Sequence, residues 1–207
     1  MNFIKESDRL VGDLGKILIK TNSLRFAPIT LPSGKQSSYF IDLSVVPSYP
    51  SIFSRVVDAY VQLLHGVIGL ENIDAIGGIA ITGLTYATAV AYKIQKSLIY
   101  FRTSRKLGVT YRIEGALKPG SRVVILDDVI TTGRSIKRFV EYIRGEGGLV
   151  NNIVVLIDRK EGGEKKINSI NVTLNSLTSI TKIVEFLYNM QMIDKEQINI
   201  ILRQVKK

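Results

Sequence analysis

Apolar residues recur at helical spacing near the start of the chain, where Leu10, Val11, Leu14, Ile17 and Leu18 share one face of an amphipathic helix. From residue 22 to 42 that period is lost, and Pro28, Pro32 and Gly34 interrupt the chain, which predicts short strands forming a hairpin-like hood. Helical spacing returns in Phe53, Val56, Val57, Tyr60, Val61 and Leu64, after a turn bracketed by Pro47 and Pro50, so a helix is expected from about Ser51 to His65. Strand and helix then alternate: Ile73–Ala80 reads as a strand, Leu84–Ile94 as a helix and Ser97–Phe101 as a strand. Val123–Leu126 is an unbroken apolar run, which suits a strand covered on both faces, and Ile136, Phe139, Val140 and Ile143 place a helix after it. Leu149–Ile157 reads as the next strand, Ile170–Leu174 as an edge strand, and residues 179–190 and 194–206 as helices. This alternation predicts an α/β fold, a doubly wound and mainly parallel sheet in a single domain. Hood elements fall mainly in 20–45 and C-terminal helices in 179–206.

Composition narrows the chemistry. With 207 residues, 45% of them apolar, the chain can bury one substantial core. It has no cysteine, which excludes disulfides, thiolate catalysis and cysteine-ligated metals. His65 is its only histidine, so a multi-histidine metal site is excluded, and its place at the end of a helical pattern marks it as a helix residue rather than a base. No apolar run reaches transmembrane length, and Glu6, Asp8 and Asp13 interrupt the first twenty residues, so a cytoplasmic protein is expected. A net charge of +10 suits either nucleic acid or an anionic small substrate. The basic residues are scattered, with local groups at 102–112, 159–166 and the last five positions, which favours an anion-binding site over a nucleic-acid stripe.

The candidate chemistry concentrates in residues 122–135. An apolar strand ends in Asp127 and Asp128, passes through Val129 and Ile130, and enters the turn Thr131-Thr132-Gly133-Arg134-Ser135 at the start of a helix. Unpaired backbone N–H groups and the positive end of a helix favour a phosphate there, Gly133 permits close approach, and the hydroxyls add donors. The two carboxylates are placed to accept hydrogen bonds from ribose hydroxyls or to hold a hydrated Mg²⁺. A bare Asp pair after a strand is more often solvated loop; the order around this pair is what reverses that weighting. The stretch is neither a Walker loop nor a Gly-x-Gly-x-x-Gly turn.

Three further loops leave strands at the same edge. Ala80-Ile81-Thr82-Gly83 could bind a second anionic group or be an ordinary connection. The loop after Phe101 carries Arg102, Arg105, Lys106 and Arg112, either solvated charge or a cationic cover for a departing anion. Arg159, immediately after a strand in Asp158-Arg159-Lys160-Glu161-Gly162-Gly163, could fork onto a carboxylate or form a surface pair with Asp158.

Residues 122–135 resemble the phosphoribosyl pyrophosphate (PRPP) signature of type I phosphoribosyltransferases. With residues 158–163 and the hood segment Leu31–Asp42, the resemblance sharpens to the orotate phosphoribosyltransferases. It implies that residues 127–135 bind PRPP together with Thr82, Gly83 and Arg102. It implies that Arg159 and Thr131 contact orotate while Tyr39 and Phe40 cover the base. Lys106, Arg102 and Arg105 would act on the leaving pyrophosphate, with Asp128 at the ribose. Mg²⁺ would ride on PRPP, water-mediated to Asp127 or Asp128, and the protein would be a homodimer with shared active sites. The loop 102–108 departs from the family pattern: Thr103 stands at a lysine position and no histidine follows. Thr82 and Pro32 also stand where members carry lysine. These departures keep two other readings open, a PRPP-sensing non-catalytic regulator and a purine-base phosphoribosyltransferase of the same fold.

Overall fold

The computed structural model describes residues 2–30, 34, 36–79, 81–101 and 113–205. The chain opens with α1 (Asn2–Lys20) and then forms the hood from four two-residue strands, β1 (Leu24–Arg25), β2 (Ile29–Thr30), β3 (Gln36–Ser37) and β4 (Phe40–Ile41). β1 pairs antiparallel with β4, and β2 with β3. After α2 (Pro50–Val67), β5 (Ala75–Ile79), α3 (Thr82–Lys93) and β6 (Ser97–Phe101) begin the central sheet. It continues through β7 (Ile113–Glu114), β8 (Arg122–Ile130), α4 (Arg134–Gly145), β9 (Leu149–Asp158), α5 (Gly163–Asn168) and β10 (Thr173–Ser179). Helices α6 (Ile180–Asn189) and α7 (Lys195–Val205) follow. Among the described residues no helix is long and apolar enough to cross a membrane.

The six-stranded sheet has the order β10-β9-β8-β5-β6-β7, parallel throughout except for β7, which runs antiparallel to β6. The doubly wound expectation holds. One face is covered by α1, α2, α3, α6 and α7, through side chains such as Leu14, Tyr60, Tyr86, Leu187 and Ile201. The other is covered by α4 and α5 through Phe139, Val140, Ile143 and Ile167. Being buried on both sides explains why β8 and β9 read as apolar runs rather than as alternating strands.

Three elements differ from the expectation. β8 does not stop at Leu126: its pairing with β9 runs on through Asp127↔Val155, Val129↔Ile157 and Ile130↔Asp158. The two carboxylates therefore stand on the strand near its carboxyl end, as expected, but the strand continues past them to Ile130. The last strand starts at Thr173 rather than Ile170, because the sheet edge accepts the polar run Thr-Leu-Asn-Ser-Leu-Thr-Ser that periodicity passes over. The short helix α5 has only six residues and no apolar period to announce it.

Phe139 is fully buried and stacks on Phe101 at 5.3 Å between ring centroids, tying α4 to β6 across the sheet. Truncation to Phe139→Ala should cost about 3–5 kcal/mol of stability, the range for losing a buried aromatic side chain. Urea unfolding followed by circular dichroism measures it, and a cost below about 1 kcal/mol would show that the site collapses around the lost ring.

Candidate active site

Counting only the parallel strands, the sequential order β5, β6, β8, β9, β10 reverses direction between β5 and β8. In an open α/β sheet the crevice at such a point, beyond the carboxyl ends of the strands, is where ligands sit. A cavity of about 330 Å³ occupies it, lined by Phe40–Leu43 from the hood, Thr82 from the start of α3, residues 127–136 and Arg159. Local sequence explains the closeness of these elements. Gly83, in the first turn of α3, lies so near β8 that a Cβ there would stand 2.2 Å from an Asp127 carboxylate oxygen and 3.1 Å from its Cα.

Asp127 is buried within the wall, its backbone carbonyl accepting the Tyr60 hydroxyl at 2.8 Å and its carboxylate accepting the Asp128 N–H at 3.1 Å. Burial pushes the Asp127 carboxyl well above the ordinary 3.8, and the Asp128 charge adds to the rise. Burial also raises Asp128, with Asp42 across the cavity contributing in the same sense. Asp42 itself is held by Ser44, whose N–H and hydroxyl donate to it at 2.9 and 2.6 Å. The cavity thus gathers three acidic side chains, two of which burial makes reluctant to ionise.

The opposite character appears at the start of α4. Gly133, with φ +71°, turns the chain into the helix, and no side chain caps the helix start. The first-turn N–H groups have no intrahelical partner, so an uncapped start opening on a cavity offers donors and positive potential to an anion. An added Cβ at Gly133 would press on the Gly163 carbonyl oxygen and the Ile167 side chain, each at 3.3 Å, in a backbone conformation that side chains disfavour.

Arg159 is 2% exposed, and its partner is not Asp158. It forms an ion pair with Glu161 at 2.9 Å, donates to the Tyr39 hydroxyl at 2.9 Å and to Ser37 Oγ at 2.9 Å, and stacks 4.1 Å above the Tyr39 ring. The alternative of an Asp158/Arg159 surface pair therefore falls: Asp158 instead accepts from the Lys160 N–H at 2.6 Å and forms an ion pair with its ammonium at 3.0 Å. Lys160 adopts φ +56°, and this left-handed step carries the chain round between Arg159 and Glu161. The Arg159 N–H bonds to the Ile130 carbonyl at 3.1 Å, so the arginine is anchored to the strand that carries the acid pair.

The structure thus brings Asp127–Ser135, Thr82, Phe40 and Arg159 to one cavity. Gly83 stands behind Asp127 rather than in the lining. Tyr39 does not cover the cavity; it is fully buried beneath the guanidinium because its ring and hydroxyl stabilise a buried charge. Burial lifts its hydroxyl above the ordinary phenol range, so it serves there as a neutral donor and acceptor. Arg102, Arg105 and Lys106 lie outside the described residues. Sequence reasoning missed Asp42, Glu161 and Gln204. Asp42 and Glu161 stand inside segments already singled out, and Gln204 interrupts the apolar stripe Ile198, Ile201 with a polar group that is nonetheless buried.

Residues 51–189 match the family described as the phosphoribosyl transferase domain, the class of protein that this sheet order and cavity define. The orotate phosphoribosyltransferase of Sulfolobus acidocaldarius is 34% identical over 185 residues, covering 89% of this chain and 92% of the relative. That of Methanococcus maripaludis is 34% identical over 86% of this chain and 96% of its own length. The chain belongs to the orotate phosphoribosyltransferase family. Among solved structures, orotate phosphoribosyltransferase from Aeropyrum pernix superposes with a TM-score of 0.73 at 33% identity, over 87% of this chain and 99% of that one. Leishmania donovani UMP synthase superposes with a TM-score of 0.82 at 30% identity, over 94% of this chain and 42% of that longer one.

The acid pair makes a prediction about stability. Carboxyls raised above 3.8 in the folded state hold protons that the unfolded chain has released, so they destabilise the fold increasingly as pH rises from 3.8 through the raised values. Asp128→Asn should therefore raise the thermal midpoint of the ligand-free protein at neutral pH by about 2–4 °C, on the order of 1 kcal/mol. The gain should shrink as pH is lowered toward 3.8. Scanning calorimetry across pH checks this, and a lower midpoint for the variant at neutral pH would contradict it.

Proposed function

We infer that this chain transfers the 5-phosphoribosyl group of PRPP to N1 of orotate, giving orotidine 5′-monophosphate and pyrophosphate. The observation that carries the reading is a buried, forked arginine at the wall of the same cavity that holds an uncapped helix start and an acid pair. A phosphate at the turn 131–135 and a carboxylated base at Arg159 would place the ribose between them, against Asp127 and Asp128. The C1–N1 bond forms as the C1–O bond to pyrophosphate breaks, the pyrophosphate leaving with the bonding electrons and N1 giving up its proton. Positive charge develops on the ribose ring in between, so the protein's task is to orient the partners and stabilise charge rather than to form a covalent intermediate.

Side-chain roles follow from charge. Asp127 and Asp128 would orient the ribose hydroxyls and face the electron-poor ring. Thr82 would hold the pyrophosphate end, with Arg102, Arg105 and Lys106 neutralising it as it leaves. Phe40 would lie against the base. Paired carboxyls at the cavity also fit a hydrated Mg²⁺ carried on the substrate oxygens, which would supply screening of the pyrophosphate charge when bound. We propose a cytoplasmic homodimer; Ile81 and Tyr92, exposed large apolar side chains at the two ends of α3, support a face covered by a second copy.

Loss of orotate absorbance on adding Mg-PRPP to the pure protein tests the activity, and tight PRPP binding without orotate consumption would replace the enzyme with a PRPP sensor. The base subsite is tested with Arg159→Lys. Alanine would take the guanidinium away from the buried Glu161, at about 3–5 kcal/mol, and confuse folding with binding. Lysine keeps the charge but loses the planar fork. The KM for orotate should rise about tenfold or more while the KM for PRPP stays within about twofold. Equal KM values for orotate in parent and variant would remove Arg159 from the base subsite.

A further inference from the structure

We infer that Gln204, on the last helix, is a positioning residue for the base subsite: it locks the hood and Glu161 together and so sets the guanidinium of Arg159. This rests on the assignment of Arg159 to the orotate carboxylate. Gln204 sits on the face of α7 that Ile198 and Ile201 bury against the rest of the protein, and it is itself 8% exposed. All of its amide groups are engaged. Its carbonyl oxygen accepts the Ser38 N–H at 2.7 Å, and its Nε2 donates to Ser37 Oγ at 2.9 Å and to Glu161 Oε1 at 3.0 Å.

Those two acceptors are the same two that hold Arg159. Glu161 Oε1 receives Arg159 Nε at 3.0 Å and the Tyr39 hydroxyl at 3.1 Å, and Ser37 Oγ receives Arg159 Nη2. The Ser37 hydroxyl donates to the Tyr39 carbonyl at 2.6 Å, so the hood strand is tied into the same knot. Nε and Nη2 are spent on these internal partners, and Nη1 makes no hydrogen bond among the described residues. The edge of the guanidinium that remains for a ligand is therefore determined by where Glu161 and Ser37 stand. Gln204 bonds to both of them from α7, bringing a helix some forty residues downstream to bear on the base. In a buried network of this kind a missing donor loosens several bonds together.

The test uses Gln204→Met, which keeps length and apolar contacts but deletes the amide. With parent protein that consumes orotate, the variant should show a KM for orotate raised about tenfold, with kcat and the KM for PRPP within about twofold. Ser37→Ala should shift orotate in the same direction. The double variant should be no worse than about twofold beyond the weaker single, because both act through Arg159. A purely structural Gln204 would lower the unfolding midpoint and leave the ratio of the two KM values unchanged; that result, or additive shifts in the double variant, overturns the inference. Should Gln204→Met fail to fold, Ser37→Ala alone decides, an unchanged KM for orotate counting against the network. A parent that does not consume orotate overturns the proposed function, and this inference with it, which separates that failure from a variant that merely matches an active parent.

Discussion

Two neighbouring carboxylates buried at the end of a central strand are the constraint on which the rest of the molecule depends. A buried carboxylate is expensive unless something balances it, and among the described residues Asp127 and Asp128 are held by each other and by backbone N–H groups, with the further acid Asp42 nearby. The ligand-free fold tolerates them because both faces of β8 are heavily packed, with Tyr60 holding the Asp127 backbone from α2. The strain is useful. Carboxyls that ionise reluctantly in the empty site would gain most when the proposed electron-poor ribose arrives, which is the direction the proposed catalysis requires.

The positive side of the ledger is handled differently. Arg159 is already neutralised by Glu161 and braced by Tyr39 and Ser37, so it is a rigid instrument rather than a free charge. Orienting a guanidinium in advance reduces the entropy lost when a planar carboxylate docks on it. The bond from the Arg159 N–H to the Ile130 carbonyl links this half to the turn 131–135, so the proposed base and phosphate determinants hang from one strand end. The distance between them is consequently a property of the sheet and not of mobile loops.

Much of this was legible in the sequence because burial on two faces leaves unbroken apolar runs, as in Val123–Leu126, and because the phosphate turn needs a glycine and small hydroxyls in a fixed order. What escaped has physical reasons. Charged residues normally end a strand, so the continuation of β8 through Asp127 and Asp128 is visible only in its pairing with β9. The polar edge strand β10 packs on one neighbour and carries little apolar period. Glu161 and Gln204 act across long sequence separations, and no local spacing encodes a hydrogen bond between residue 37 and residue 204.

The claim that the acid pair waits uncompensated for its substrate is tested most directly by counting protons. Titration calorimetry of Mg-PRPP into the protein, at mildly acidic pH and in buffers of different ionisation enthalpy, gives the number released on binding. Carboxyls raised by burial and mutual repulsion should lose protons when the cation and sugar arrive, so the parent should release more protons than Asp127→Asn measured under the same conditions. Equal release by the two proteins, or net uptake by the parent, would contradict the account.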